Sequence, residues 1–240
     1  MNKARLDKLI ADSGVASRSE AKAMIRAGRV SVDGRAAMSA EEKLDGDSVT
    51  ICIDGQPINC SRFRYILMYK PNGVLSATED SNQQTVVDLL PKELQRLGLF
   101  PVGRLDKDTT GLLILTNDGD YAHRVISPKH HVAKRYRAAV DGVLDEADIE
   151  AFARGLTLAD GLECLPAELC IERPSVGLVT VYEGKYHQVK RMFASRGKPV
   201  TALHRLSTGA LTLDEGMKDG QFRELSAREA QLVFQNGQNN

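Results

Sequence analysis

The sequence predicts an α+β protein in which a small N-terminal α/β domain precedes a larger domain. The larger domain is expected to contain a mixed, mostly antiparallel sheet with flanking helices. In the first 53 residues, two helical patterns come before short strands, whereas strand patterns outnumber helical ones from residue 64 onward. Residues 54–63 are polar and contain Gly and Pro, which is typical of a linker. We therefore predict domains over residues 1–53 and 64–240, joined by this linker.

The N-terminal domain is predicted to begin with two short helices. Apolar residues recur at i, i+3 and i+4 from Leu6, which gives the first helix one buried face. Ser17, with Glu20 three residues later, predicts a capping box at the start of the second helix. Asp33-Gly34 then predicts a tight hairpin turn, and residues 49–51 offer a strand that closes the domain.

The second domain is predicted to alternate short strands with fewer helices. Residues 112–115 form an apolar run of the length of a buried strand, and this run stops at the turn sequence Asn117-Asp118-Gly119. The other strand patterns cover residues 65–69, 73–76, 134–140, 165–171, 177–182 and 199–206. Helical patterns cover residues 146–154, 185–195 and 226–234. A polar tail follows from Asn236.

Charge and cysteine content narrow the class of protein. The 32 Lys and Arg residues equal the 32 Asp and Glu residues, which argues against a protein that coats nucleic acid nonspecifically. The four cysteines are too far apart for a Cys-x-x-Cys metal site. The N-terminus lacks an apolar signal segment, and no run is long enough to cross a membrane. We therefore expect a cytoplasmic, monomeric protein with reduced cysteines and no bound metal.

The second predicted helix carries a stripe of positive charge. Arg18, Lys22 and Arg26 recur every four residues, and Arg29 and Arg35 follow in the adjoining turn and strand. Like charges at this spacing repel by a few tenths of a kcal/mol (~0.2–0.5) per pair. A stripe without interleaved acidic residues therefore favours a surface that faces phosphates. A solvated helix face is the alternative interpretation.

Residues 103–120 hold the most informative candidate for chemistry. Asp106 lies in a polar loop shortly before the buried strand pattern, where a rigid scaffold can present a carboxylate to a ligand. An aspartate at such a place is also a common turn former or helix cap. The spacing alone leaves both interpretations open.

Later segments carry further candidates. In the alternating strand 134–140, Tyr136 is either a core tyrosine on a basic edge strand or an aromatic side chain that stacks on a base. Lys190 borders the face that Tyr186, Val189 and Phe193 would share on the predicted helix 185–195. It is therefore either a snorkelling side chain or a lysine that needs a carboxylate partner.

Several segments together resemble a known enzyme family. Gly103-Arg104-Leu105-Asp106, with Thr110-Gly111-Leu112-Leu113, is similar to the catalytic motif of the RsuA-type pseudouridine synthases, which isomerise uridine in ribosomal RNA. Lys134-Arg135-Tyr136 resembles the second motif of that family, and residues 184–193 resemble the third. About the first fifty residues resemble the S4-like RNA-binding domain. The resemblance implies an S4-like RNA-binding domain followed by a pseudouridine synthase catalytic domain.

The resemblance also implies roles for individual residues. Asp106 matches the nucleophile, Tyr136 the tyrosine that packs against the target uracil, and Lys190 the cation that pairs with the nucleophile. A single carboxylate suffices for the covalent step, so we expect no cofactor.

Three further residues are expected to bind the substrate. Arg104 would fill the gap left by a flipped base, and Leu203 would lie under the target base, although plain core packing explains Leu203 nearly as well. Arg191 faces away from Lys190 on the predicted helix and would contact RNA. The basic stripe would hold RNA phosphates.

The expected substrate is one uridine of 16S ribosomal RNA, in naked RNA or in an assembling small subunit. Ser127-Pro128-Lys129-His130-His131 and Tyr186-His187 look more like the small-subunit enzymes than like their relatives. A related synthase that acts on 23S ribosomal RNA is the near alternative. A non-catalytic RNA-binding ribosome factor is the distant one.

Overall fold

The computed structural model describes residues 3–235, so the polar tail predicted from Asn236 lies outside the described residues. Backbone contacts divide the chain into two compact units. The first contains the residues up to 64 together with 90–99, and the second contains residues 65–89 and those from 100 onward. Segment 90–99 therefore packs within the first unit, although it follows residue 64 in the chain. The bounds chosen for the two functional domains stay a prediction.

The first unit combines three short helices with small antiparallel sheets. Its elements are β1 (Ala4–Arg5), α1 (Leu6–Asp12), α2 (Arg18–Arg26), β2 (Val30–Val32), β3 (Arg35–Ala36), β4 (Lys43–Leu44), β5 (Ile51–Ile53), β6 (Gln56–Ile58) and α3 (Lys92–Gln95). One sheet has the strand order β3-β2-β5-β6, and β1 pairs with β4. Apolar side chains from both helices and from the larger sheet form one core, with Leu6, Ile10 and Ile51 fully buried.

The local features predicted for this unit are confirmed. Ser17 accepts a hydrogen bond from the backbone N–H of Glu20 (3.3 Å), and the Glu20 carboxylate accepts one from the backbone N–H of Ser17 (2.7 Å). Asp33 and Gly34 both adopt positive φ angles (49° and 80°), as a tight hairpin between β2 and β3 requires.

The segment predicted as a linker is partly a hairpin instead. Asp54 and Gly55 adopt positive φ angles of 50° and 79°, and they return the chain so that β6 pairs with β5. Sequence composition indicated a linker because Gly and Pro are common both in linkers and in tight turns. Pro57 lies on the outer strand of the sheet, where its missing N–H breaks no interior ladder.

The second unit is built around one large mixed sheet. Its elements are β7 (Tyr65–Lys70), β8 (Phe100–Pro101), β9 (Thr109–Thr116), α4 (Gly119–Ile126), β10 (Lys134–Val140), α5 (Glu146–Arg154), β11 (Leu156–Thr157), β12 (Glu163–Cys164), β13 (Glu168–Arg173), β14 (Val176–Val181), α6 (Gln188–Ser195), β15 (Val200–Thr208), β16 (Leu211–Thr212), β17 (Phe222–Glu224) and α7 (Ala227–Gln231). Short 3₁₀ turns cover Pro128–His130 and Leu232–Phe234.

The main path of this sheet is β13-β14-β10-β15-β9-β7-β17. Within the described chain, β9 and β15 run parallel and the other neighbouring pairs on this path run antiparallel. Gly111 of β9 lies opposite Arg205 of β15 with φ +107°, and a Cβ at this position would lie 2.7 Å from the Arg205 backbone nitrogen. The mixed, mostly antiparallel α+β fold predicted from the sequence is confirmed.

Three local predictions for this unit were wrong. Residues 73–76 form no strand beyond an isolated bridge between Leu75 and Thr85. The turn sequence around Asp118 is a helix cap, because the Asp118 carboxylate accepts a hydrogen bond from Tyr121 N–H (3.0 Å) and starts α4. Helix α6 begins at Gln188 rather than at residue 185, because His187 adopts a left-handed conformation (φ 48°, ψ 32°). Tyr186 therefore does not share the buried face of that helix.

Among residues 3–235, no helix combines the length and the apolar character that a membrane crossing needs. The same residues contain no cluster of three His, Cys, Asp or Glu side chains that could hold a metal ion.

Candidate active site

Asp106 lies in the loop before β9, and its neighbours fix the backbone there. The hydroxyl of Ser76 donates to the Leu105 carbonyl (2.8 Å) and accepts from the Leu105 N–H (3.1 Å). The Asp106 carbonyl accepts from the Thr109 N–H (3.0 Å), which closes a tight turn at the start of the strand. The loop is thus held at both ends by the rigid sheet.

The carboxylate of Asp106 lies between two basic side chains of the α6 region. Lys190 Nζ is 3.0 Å from Asp106 Oδ2, and His187 Nε2 is 3.2 Å from Asp106 Oδ1. Each carboxylate oxygen therefore faces a different partner, and the Asp106 side chain remains 25% exposed. The ion pair predicted between Asp106 and Lys190 is present.

Asp108 is a second anionic partner of the same lysine. Its Oδ1 lies 2.5 Å from Lys190 Nζ. Partial burial lowers the pKa of Lys190, but its hydrogen bonds to Asp108 and Asp106 and their negative charges outweigh this effect and leave the pKa raised. The hydrogen bond from Lys190 in turn lowers the pKa of Asp108. Lys190 is therefore cationic at neutral pH.

A cavity connects this cluster with the other residues that the sequence singled out. Tyr136 of β10 and Leu203 of β15 are both buried and line the cavity, and exposed Arg104 lies at its side. Asp106, His187 and Lys190 also line it. Side chains from the loop before β9, two strands and one helix thus meet at one place.

Comparison with known proteins agrees with this arrangement. The family description "RNA pseudouridylate synthase" matches residues 64–195, and "S4 domain" matches residues 4–49. The chain belongs to the RNA pseudouridylate synthase family. The synthase is thus an enzyme with an S4 domain before its catalytic domain, and the expectation of a non-catalytic ribosome factor is set aside.

Relatives match nearly the whole synthase. "Ribosomal small subunit pseudouridine synthase A" of Vibrio cholerae is 41% identical over 96% of this chain and 99% of its own length. An RNA pseudouridine synthase of Bacillus subtilis (strain 168), YtzG, is 46% identical over 95% of this chain and 98% of its own length. A crystal structure titled as a pseudouridylate synthase superposes with a TM-score of 0.68 at 34% identity, covering 95% of this chain and 99% of that one.

Arg191 does not join the cavity of the synthase. Its guanidinium pairs with Asp160 (2.5 Å) and donates to the Tyr186 carbonyl (3.4 Å), so it braces the segment before α6. Arg104, in contrast, lines the cavity as the sequence predicted. Contact of Arg191 with RNA stays a prediction.

The basic stripe is neutralised more than the sequence indicated. The carboxylate of Asp7, which is fully buried in α1, lies 3.1 Å from Arg18 and 3.8 Å from Lys22. Arg29 pairs with Asp54 (2.5 Å), and Arg35 pairs with Glu42. The premise that no acidic residue accompanies the stripe was therefore wrong, because its partners come from segments distant in sequence. Arg26 is exposed.

Sequence reasoning missed a buried lysine below the catalytic loop. Lys70 at the end of β7 is fully buried, and its Nζ donates to the carbonyls of Pro71 (3.0 Å), Lys107 (3.1 Å) and Thr109 (2.9 Å). Burial lowers its pKa to about 8, while the negative charges of Asp108 and Asp106 oppose that shift. The lysine thereby fastens both sides of residues 107–109. Its position before a Pro-containing turn gave no signal of this contact.

His187 and Asp108 were also missed as partners of the central ion pair. Asp108 lies two residues after the nucleophile candidate, which is a spacing with no structural meaning in a loop. His187 comes from a distant segment, and its ring reaches Asp106 only through the left-handed conformation before α6. No sequence periodicity reports such a bend.

Proposed function

We propose that the synthase converts one uridine of 16S ribosomal RNA to pseudouridine, with Asp106 as the nucleophile and the uridine flipped out of its stack. The observation that carries this proposal is the Asp106 carboxylate held by Lys190 and His187 at a cavity lined by Tyr136. The names of the Vibrio relatives, which refer to the small ribosomal subunit, favour 16S over 23S RNA.

The reaction needs a nucleophile and no change of oxidation state. The bond between N1 of uracil and C1′ of ribose breaks, the uracil turns, and a bond forms between C5 and C1′. The C5 hydrogen leaves as a proton, and N1 is protonated. The Asp106 carboxylate forms a transient covalent bond either with C1′ or with C6 of the ring, and in both cases it is released when the product forms.

The neighbouring side chains support this step. Asp106 must be ionised to attack, and cationic Lys190 at 3.0 Å stabilises the ionised form. Tyr136 offers a ring against which the uracil stacks, and Leu203 an apolar contact for the same base. Arg104 lies beside Asp106 in sequence and on the cavity wall, where its long side chain would occupy the space vacated by the flipped base.

The S4 domain supplies affinity for the RNA backbone. Arg18, Lys22, Arg26, Arg29 and Arg35 would hold phosphates, and such contacts position a protein without reading sequence. Phosphates would compete with Asp7 for Arg18 and Lys22, which lie at its carboxylate and are about half exposed. Arg26 offers its charge directly to solvent.

Mapping of pseudouridine in ribosomal RNA tests the proposal. RNA from cells with and without the gene should differ at one uridine of 16S RNA, and the purified enzyme should restore that modification in RNA from the deleted strain. The Asp106→Asn variant keeps the size of the side chain but removes the nucleophile, so it should bind RNA and form no detectable product.

Two results would contradict the proposal. A modified site in 23S RNA alone would show that the substrate is wrong. Activity of Asp106→Asn within about tenfold of the wild type, or roughly 1.4 kcal/mol in the barrier, would show that another group is the nucleophile.

A further inference from the structure

Tyr186 and His187 form an aromatic stack beside the cavity. The ring centroids lie 3.9 Å apart and the ring planes differ by 17°. Tyr186 is nevertheless 75% exposed, which makes it the most exposed of the six tyrosines. Since one face of its ring covers His187, the exposure comes from the opposite face and the edges. A flat aromatic surface therefore points to solvent next to the active site.

The stack is held in place by its surroundings. Gln188 accepts a hydrogen bond from the Lys185 N–H (3.0 Å) and donates one to Glu183 (2.8 Å), which braces the segment on either side of the stack. Arg191 donates to the Tyr186 carbonyl (3.4 Å). The His187 ring is oriented by its contact with Asp106 (3.2 Å). A rigid aromatic surface costs little conformational entropy when a ligand stacks on it.

The stack lies at the edge of the place where the flipped uridine would bind. His187 lines the cavity together with Asp106 and Tyr136, whereas Tyr186 does not line it and lies one residue further out. A base bound in the cavity would occupy the Tyr136 side. The nucleotides on either side of a flipped uridine lose a stacking partner, and their bases can then stack on an exposed aromatic ring.

We propose that the outer face of Tyr186 binds the base of a nucleotide adjacent to the flipped uridine. The ligand class is a single unpaired nucleobase of RNA, and the inference rests on the function proposed above. Stacking on a π-face is tolerant of sequence, so the subsite would contribute affinity rather than base identity. The His187 ring, stacked on the inner face, keeps the Tyr186 ring in register with the cavity.

Binding measurements with an RNA probe test this subsite. The probe is a 15-nucleotide RNA centred on the uridine that mapping identifies, with 2-aminopurine placed in turn on each side of it. Binding is measured in the Asp106→Asn background, which prevents turnover. Tyr186→Ala should raise the Kd by roughly 5- to 150-fold, the range for alanine substitution of a base-stacking aromatic side chain.

Two conservative variants and one control make the result specific. Tyr186→Phe and Tyr186→Trp should restore affinity to within about threefold, whereas Tyr186→Leu should bind as weakly as Tyr186→Ala, since it has no π-face. Tyr182→Ala is the control, because Tyr182 bonds Glu168 (2.7 Å) and does not line the cavity. Fluorescence of 2-aminopurine at one flanking position should be quenched on binding, and Tyr186→Ala should abolish this quenching.

The outcomes separate the subsite from the proposed function. If no uridine is modified by the wild type, the proposed function fails and the inference fails with it. If a uridine is modified but Tyr186→Ala binds like Tyr182→Ala, the subsite alone is wrong. Equal binding by Tyr186→Leu and Tyr186→Phe, or unquenched fluorescence at both flanking positions, also overturns it. So does a loss of kcat at saturating RNA with an unchanged Kd.

Discussion

Replacement of Lys70 by Met should destabilise the catalytic unit much more than the same change at Lys134. Both lysines are buried, with exposed fractions of 0% and 7%, and burial lowers the pKa of each to about 8. The cost of desolvating the two ammonium groups is therefore similar. Lys70 donates hydrogen bonds to three carbonyls, whereas among the described residues Lys134 donates to that of Val132 alone (3.1 Å).

The difference between the two variants follows from these contacts. Each hydrogen bond from a charged donor contributes about 1.5 kcal/mol at the lower end of its range, so two additional bonds amount to about 3 kcal/mol. Lys70→Met should lose this amount relative to Lys134→Met in the free energy of unfolding. For a chain of this size, about 3 kcal/mol corresponds to a Tm lower by roughly 6–12 °C. Urea unfolding and thermal melting at neutral pH measure both quantities.

The pH dependence gives a second measurement on the same pair. The folded pKa of Lys70, about 8, lies below the ordinary value of 10.5, so the unfolded chain binds more protons between these values. Stability should therefore rise with pH in this window, and a shift of 10.5 − 8 = 2.5 units corresponds to about 3 kcal/mol. Lys70→Met should reduce the rise between about pH 8 and about pH 10. Equal stability of the two methionine variants would refute the role assigned to the three hydrogen bonds.

Three further predictions concern the active site and the S4 domain. Lys190→Met should lower single-turnover rates at least about 100-fold (~2.7 kcal/mol) with little change in Tm, and Lys190→Arg should be partly active; similar losses in both variants would show that charge is not what matters. Changing Arg18, Lys22 and Arg26 together to Ala should weaken RNA binding and lower its salt slope by about one unit per lost phosphate contact, without changing the modified uridine; an unchanged salt titration would identify a solvated helix face. Thr109→Val should leave unfolding free energy unchanged or raised, because the buried Thr109 hydroxyl has no hydrogen-bond partner among the described residues; a loss above about 1 kcal/mol in urea unfolding would reveal one.

Local features of this chain were determined by the sequence itself. The capping box of Ser17 and Glu20, the Asp33-Gly34 hairpin and the facing of Tyr136 depend on residues within a few positions of each other. The family and the order of its domains were also readable, because the motif around Asp106 is dense. The Asp106–Lys190 pair came from the family resemblance rather than from spacing.

The tertiary structure decided which distant groups meet at the site. His187 reaches Asp106 because of a single left-handed residue, and the same bend leaves Tyr186 in solvent instead of on a helix face. Lys70 lies under the catalytic loop because β7 pairs with β9, which brings its ammonium group to the carbonyls of that loop. Asp7 neutralises part of the basic stripe because two helices pack together. Such contacts join residues far apart in the chain, and sequence periodicity carries no information about them.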